Sequence, residues 1–246
     1  MSNRQTKFFA DGAKKETILE MYPRTDIAGF TTNPTLMVKA GVANYKEFAV
    51  DILKTIKDKP ISFEVFSDDF EEMEDQALEI ASWGDNVYVK IPISNTQGRS
   101  AAPLIKRLTS NKVKVNVTAI TLIEQVEEVL PNLQAGVPAY VSIFAGRIAD
   151  CGVDPLPVMK KTMDLLAAHP HVELIWASPR EVLNVAQAQS IGCHIITVTD
   201  DIFKKIPILG KDLAEMSLDT VKMFYKDAVS VGYTIEIKST KSAKKS

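Results

Sequence analysis

Asn86-Val87-Tyr88-Val89-Lys90-Ile91-Pro92 is the stretch on which the fold turns. It is a short β-branched run of the kind that becomes a buried strand in a parallel sheet. A cation inside such a run needs a reason, because burying an ammonium costs several kcal/mol unless it is paired or gives up its proton. A lysine made neutral in this way is a competent nucleophile toward carbonyls, which points to Schiff-base chemistry. The competing reading has Lys90 at a strand end with its head in solvent. The surrounding pattern argues against that.

Further short apolar runs bounded by turn residues lie at Lys7 to Asp11, Ile27 to Thr32, Ile61 to Phe66, Val113 to Thr118, Ala139 to Phe144, Val172 to Ala177 and His194 to Val198, which makes eight with Val87 to Pro92. Between them the spacing predicts helices over Tyr45 to Ile56, Phe70 to Trp83, Arg99 to Leu108, Leu122 to Leu130, Val158 to Ala168 and Arg180 to Gln189, with Asp212 to Val229 closing the chain. Strict alternation without a Gly/Ser-rich linker predicts one parallel-sheet domain, and eight such units predict an α/β fold of the (β/α)8 barrel type. An open doubly wound sheet is the competitor, but no Gly-x-Gly-x-x-Gly follows a strand. The expected organisation is a barrel with a C-terminal helix over residues 1–236 and a basic tail over 237–246.

Every second side chain of a strand faces the same way. Ile61, Phe63 and Val65, then Val87, Val89 and Ile91, then Val113, Val115 and Val117, then Val141 and Ile143, form faces suited to packing under helices. The opposite faces read Ser62, Glu64 and Phe66; Tyr88 and Lys90; Lys114, Asn116 and Thr118; Tyr140, Ser142 and Phe144. A barrel interior is ordinarily filled by branched aliphatics, so this many polar groups at neighbouring strand ends predicts an active site rather than a structural polar network.

The bulk numbers fit an ordinary globular protein the size of one α/β barrel or of two smaller domains: 246 residues, 46% hydrophobic, 24% charged, net charge -2. That charge gives no support for a nucleic-acid or membrane partner, and the lysines of the tail lack aromatic interleaving. Cys151 and Cys193 form no CxxC pair, the polar N-terminus does not look like a signal peptide, and no window approaches a membrane span, so a reducing, cytoplasmic setting is expected. His169, His171 and His194 show no metal-ligand spacing, and no Gly-x-Ser-x-Gly elbow occurs; neither a metal nor another cofactor is expected.

Asp11, at the end of the first strand, and Glu64 supply two carboxylates near one lysine, whose roles can differ because environment splits their pKa values. Arg147 follows the sixth strand, and Ser178-Pro179-Arg180 follows the seventh and is expected to open a helix. Two guanidiniums and a hydroxyl at a helix start suit a phosphate group.

The segments Phe9-Ala10-Asp11-Gly12, Thr31-Thr32-Asn33-Pro34-Thr35, Ser62-Phe63-Glu64-Val65, Val89-Lys90-Ile91-Pro92, Asn116-Val117-Thr118 and Ser142-Ile143-Phe144-Ala145-Gly146-Arg147-Ile148 resemble the transaldolase family in order and spacing. The resemblance implies a class I aldolase barrel that moves a dihydroxyacetone unit between sugar phosphates. By position, Lys90 resembles the Schiff-base lysine, Asp11 the general acid/base, Glu64 the carboxylate acting through a water, and Thr118 the residue positioning that water. Thr32, Asn33, Asn116, Ser142 and Phe144 resemble residues that line the three-carbon site, and Arg147, Ser178 and Arg180 resemble the phosphate contacts. The related fructose-6-phosphate aldolases typically carry glutamine where Glu64 stands, tyrosine where Phe144 stands, and no counterpart of Asn116. Two departures stand out: Gly12 where threonine or serine commonly follows the aspartate, and a chain shorter than the long transaldolases. The expected partners are small sugar phosphates and further copies of the same subunit.

Overall fold

The computed structural model describes residues 5–236. Eight parallel strands close into a barrel in sequence order: β1 Lys7–Asp11, β2 Ile27–Thr31, β3 Ile61–Glu64, β4 Val87–Pro92, β5 Val115–Ile120, β6 Ala139–Ile143, β7 Val172–Trp176 and β8 Ile195–Val198, which pairs back to β1. The helices are α1 Lys15–Met21, α2 Pro34–Lys39, α3 Tyr45–Leu53, α4 Phe70–Ala81, α5 Ala102–Ser110, α6 Ile123–Val129, α7 Ala145–Asp150, α8 Leu156–Leu166, α9 Leu183–Ser190, α10 Asp200–Phe203 and α11 Leu213–Ser230. Among the described residues no helix is long and apolar enough to cross a membrane.

The chain divides into two units, the first ending at Ile206 and containing the whole barrel. The second contains α11, which Asp212 caps by accepting from the Ala214 and Glu215 N–H groups. No residue of α11 is buried. The basic tail, residues 237–246, lies outside the described residues.

The helix-facing residues are buried as predicted, whereas Phe66, expected on the inward face, lies beyond the end of β3 and is exposed, its ring turned against Tyr45. Ile61, Phe63, Val65, Val87, Val89, Ile91, Val113, Val115, Val117, Val141 and Ile143 are all buried. Inside the barrel, Phe9, Tyr140, Ile175, Ala177 and Ile195 form a cluster against which Tyr88 and Phe144 pack. Tyr88 and Tyr140 stack with ring centroids 4.1 Å apart, and Phe9 meets Tyr140 edge-on at 5.6 Å. Phe9, Tyr88 and Tyr140 each stand two residues before Asp11, Lys90 and Ser142 on the same face of their strands. An apolar aromatic layer therefore underlies the polar one.

Two boundaries differ from expectation in ways that matter to the site. β5 begins at Val115 rather than Val113 and runs beyond Thr118. Lys112, with φ at 65°, turns the chain out of α5, and the strand then carries an irregularity between Val117 and Ile120 where Ala119 adopts a φ of 63°. The helix expected from Arg180 begins only at Leu183, because the Asn184 side chain folds back and accepts the Arg180 and Glu181 N–H groups. The short helices α1, α2, α7 and α10 were not anticipated, although Asn33 followed by Pro34 is a recognisable helix start.

Candidate active site

The site is built at the carboxyl ends of the strands, the end of such a barrel that ordinarily carries chemistry. Glu64 and Lys90 are Cα partners across β3 and β4, and Lys90 in turn pairs with Asn116 on β5. In-register parallel neighbours present side chains to the same face, so these three converge inside the barrel. Lys90 is 5% exposed. Its Nζ lies 3.3 Å from Glu64 Oε2 and donates to the Thr32 carbonyl at 2.9 Å. The solvent-reaching alternative for Lys90 is thereby excluded.

Asp11 ends β1 and pairs with Thr31 on β2, whose hydroxyl donates to Asp11 Oδ1 at 2.7 Å. Burial pushes the Asp11 carboxyl above the usual carboxylate range. The charge of Lys90 and the Thr31 hydrogen bond pull it down, and the charge of Glu64 pushes it up further. Asp11 thus lies within the field of both Lys90 and Glu64.

Asn116 has no exposed surface and bridges the interior, its Nδ2 donating to Ser62 Oγ at 3.1 Å and its Oδ1 accepting from Ser142 Oγ at 2.7 Å. Three polar side chains from β3, β5 and β6 are thereby tied into one line, with orientations set by mutual hydrogen bonds. Thr118 is buried on β5, and its Oγ1 has no hydrogen-bond partner. A buried hydroxyl in that state is a ready ligand for a water or a substrate oxygen.

Thr32 is also fully buried; its hydroxyl donates to the Ser62 carbonyl at 3.0 Å, so what it presents to the site is the carbonyl that holds Lys90. Asn33 caps α2, its Oδ1 accepting from the Leu36 N–H at 2.9 Å, which commits the oxygen and leaves the amide nitrogen as the group to meet a ligand. Phe144 is half-buried at the start of α7.

The expected phosphate contacts come from two segments held in close approach. A Cβ at Gly146 would lie 1.6 Å from the Ser178 carbonyl oxygen, so only glycine permits α7 to start against the loop that follows β7. Ser178 itself has a φ of 59°. Arg180 forms a two-point ion pair with Asp150 at the end of α7, and that pairing holds the Asp150 carboxyl below the usual range, with Arg147 adding to the effect. Asn184 consumes the Arg180 and Glu181 N–H groups, so two of the donors expected at this helix start are taken, and the two guanidiniums and the Ser178 hydroxyl are the side-chain groups left for an anion at this corner.

Sequence reasoning missed Thr31, Tyr45 and Asp150. Thr31 was visible as part of the Thr31-Thr32-Asn33-Pro34 motif. Tyr45 and Asp150 stand far along the chain from the groups they bind and carried no local signal. Among the described residues, no group of three or more His, Cys, Asp or Glu side chains is arranged to hold a metal.

Against known proteins, the profile of the family described as Transaldolase/Fructose-6-phosphate aldolase matches residues 8–236. The chain is 34% identical over 223 residues to a "Probable transaldolase" of Nitrosopumilus maritimus, covering 90% of this chain and 94% of that protein. It is 36% identical over 193 residues to a "Probable transaldolase" of a Thermoanaerobacter species, covering 78% of this chain and 85% of that protein. Two solved barrels share the fold at low identity. One, described as "Native KDPGal structure", has a TM-score of 0.55 at 13% identity and covers 94% of this chain and 98% of that one. The other, a 3-hexulose-6-phosphate synthase, has a TM-score of 0.54 at 16% identity and covers 81% and 92%.

Proposed function

The chain belongs to the transaldolase/fructose-6-phosphate aldolase family, and on that premise we propose that it transfers a dihydroxyacetone unit between sugar phosphates through a Schiff base on Lys90. The donor is a ketose phosphate such as fructose 6-phosphate or sedoheptulose 7-phosphate. The acceptor is an aldose phosphate such as erythrose 4-phosphate or glyceraldehyde 3-phosphate, the chemistry of the pentose phosphate pathway. The observation that carries this reading is a lysine nitrogen sealed in the barrel, 3.3 Å from one carboxylate and within the field of a second.

Each step is assigned to a named group of the site. Glu64 takes a proton from Nζ, and the free amine adds to the ketose carbonyl carbon. Glu64, through a water held at the unpartnered Thr118 hydroxyl, supplies the protons that let the carbinolamine oxygen leave as water. Asp11 then takes the proton from the hydroxyl on the carbon beyond the breaking bond. The bonding pair flows into the iminium, the aldose phosphate departs, and an enamine of dihydroxyacetone stays on Lys90. A new aldehyde is attacked by that enamine, Asp11 returns the proton to its oxygen, and water releases the product ketose.

Asn33, Asn116 and Ser142 hold the hydroxyls of the three-carbon unit, and the linked Ser62–Asn116–Ser142 line favours one orientation of it. Thr32 acts through its carbonyl, while Phe144 walls the cavity. Arg147, Ser178 and Arg180 bind the phosphate, whose binding energy is spent on orienting the reacting end. Arg180 exchanges its Asp150 partner for the phosphate on binding.

Incubation with fructose 6-phosphate followed by borohydride, with peptide mass mapping, tests the covalent route. A reduced three- or six-carbon adduct on Lys90 is expected, and no adduct there removes the mechanism. Comparing product formation with and without erythrose 4-phosphate then tells transfer from release of free dihydroxyacetone.

A further inference from the structure

We infer that the Tyr45 hydroxyl is a positioning device for the Lys90–Glu64 pair, replacing two backbone rungs that this barrel leaves out between β2 and β3. The inference rests on the Lys90 Schiff-base reading and deepens it.

The missing rungs follow from the ladder itself. Along β2 and β3 the Phe30 N–H donates to the Pro60 carbonyl and the Thr32 N–H to the Ser62 carbonyl, with Thr31 and Ser62 in register. Continuing that parallel pattern by one step would have the Glu64 N–H donate to the Thr32 carbonyl, and by one more would have the residue 34 N–H donate to the Glu64 carbonyl. Neither bond exists. The Thr32 carbonyl accepts from Lys90 Nζ instead, and residue 34 is a proline, which has no N–H to give.

Both orphaned groups of Glu64 turn to one side chain. The Glu64 N–H donates to Tyr45 Oη at 2.7 Å, and Tyr45 Oη donates to the Glu64 carbonyl at 3.1 Å. Tyr45 opens α3, and its ring is fixed by edge contacts to Phe63, Phe66 and Trp83, with centroids 6.0, 4.5 and 5.8 Å away. The hydroxyl is thus presented from a rigid aromatic mount. Its effect on the site is twofold. It keeps the Thr32 carbonyl available to the lysine, and it sets the backbone from which the Glu64 carboxylate projects toward Nζ. Without it, the Glu64 N–H has the Thr32 carbonyl as its natural partner, and closing that rung draws Glu64 toward β2 and takes an acceptor from Lys90.

Tyr45→Phe removes the hydroxyl and keeps the ring. In the parent protein its kcat for transfer is expected to fall roughly 10- to 100-fold with KM within about two-fold, the size of effect that a small misplacement of reacting groups produces. In a Glu64→Gln background the same change is expected to cost less than about two-fold, because a residue acting through Glu64 has little left to lose once that carboxylate is gone. Trp83→Phe, which thins one of the three contacts on the Tyr45 ring but leaves the hydroxyl, serves as the control for packing and should cost kcat clearly less than Tyr45→Phe does. An equal fractional loss in both backgrounds, an unchanged kcat for Tyr45→Phe, or a matching loss from Trp83→Phe overturns the inference. In the unmodified protein the Glu64 amide should exchange slowly with solvent, and fast exchange overturns it whatever the variants do. Failure of the underlying reading looks different: the parent itself would then give no reduced adduct on Lys90.

Discussion

Thr31→Val isolates the hydrogen bond that tunes Asp11. Thr31 is 3% exposed, and its hydroxyl donates to Asp11 Oδ1 at 2.7 Å, so the substitution removes one donor to a carboxylate and replaces it with a methyl of similar size. A hydrogen bond to a charged group contributes about 1.5–3 kcal/mol. At about 1.36 kcal/mol per unit that corresponds to roughly 1–2 units of pKa. Asp11 is half-buried, its carboxyl enclosed but some surface of the residue left to water, so water recovers part of the loss and the lower end of that range is the working figure. The sign is upward, because the lost bond favoured the ionised form. In the proposed mechanism Asp11 is ionised when it takes the substrate hydroxyl proton, so on that reading the acidic limb of kcat/KM for cleavage of fructose 6-phosphate should move up by about one pH unit. Well above the limb the variant and parent should agree closely, while below both limbs the variant should be about ten-fold slower. Stability gives a second readout with its own sign. A carboxyl raised further in the folded state binds more protons there than in the unfolded chain, so Thr31→Val should lose stability, relative to the parent, as pH rises through the Asp11 titration. A limb that stays in place, or a loss that is uniform across pH, would refute the tuning role.

Four further outcomes follow from the same geometry. Lys90→Met should abolish the borohydride adduct and cost about 2 kcal/mol in denaturant unfolding, below the ~3–5 kcal/mol of a sealed pair because the Glu64 side chain keeps 17% exposure; Lys90→Met with Glu64→Gln should regain most of that loss. Glu64→Gln alone should slow transfer and, by leaving the buried Lys90 ammonium without its carboxylate, lower the thermal midpoint modestly while the fold is kept; unaltered turnover would remove Glu64 from the proton relay. Gly146→Ala drives a methyl into the Ser178 carbonyl and should destabilise by about 3 kcal/mol or more while raising KM for phosphorylated substrate, measured by thermal melts and steady-state kinetics. Asp150→Asn releases Arg180 from its ion pair and should lower KM for fructose 6-phosphate by a few-fold at low salt, an exposed pair being worth at most about 1 kcal/mol; an unchanged KM would argue that Arg180 does not meet the phosphate.

Much of this site was legible along the chain because a strand's two-residue period separates faces without reference to anything distant. Ser62, Glu64, Lys90, Asn116 and Ser142 could be assigned to the interior from alternation alone, and the barrel from the repetition of strand and helix. Boundaries were less legible where side chains compete with backbone. The start of α9 moved because Asn184 captured two N–H groups, and β5 slid because Lys112 and Ala119 adopt positive φ, which neither residue type advertises.

What the sequence by itself determined is which residues share an inward face and at which end of the barrel they stand, since periodicity is a local property of the backbone. What only the tertiary structure decided is which atoms meet: Asn116 bridging Ser62 to Ser142, Arg180 taken by Asp150, Thr31 bound to Asp11, and one tyrosine hydroxyl standing in for two backbone rungs. Hydrogen bonds form over about 3 Å and depend on direction, so they are set by how strands and helices from remote parts of the chain come to rest. No local pattern carries that information.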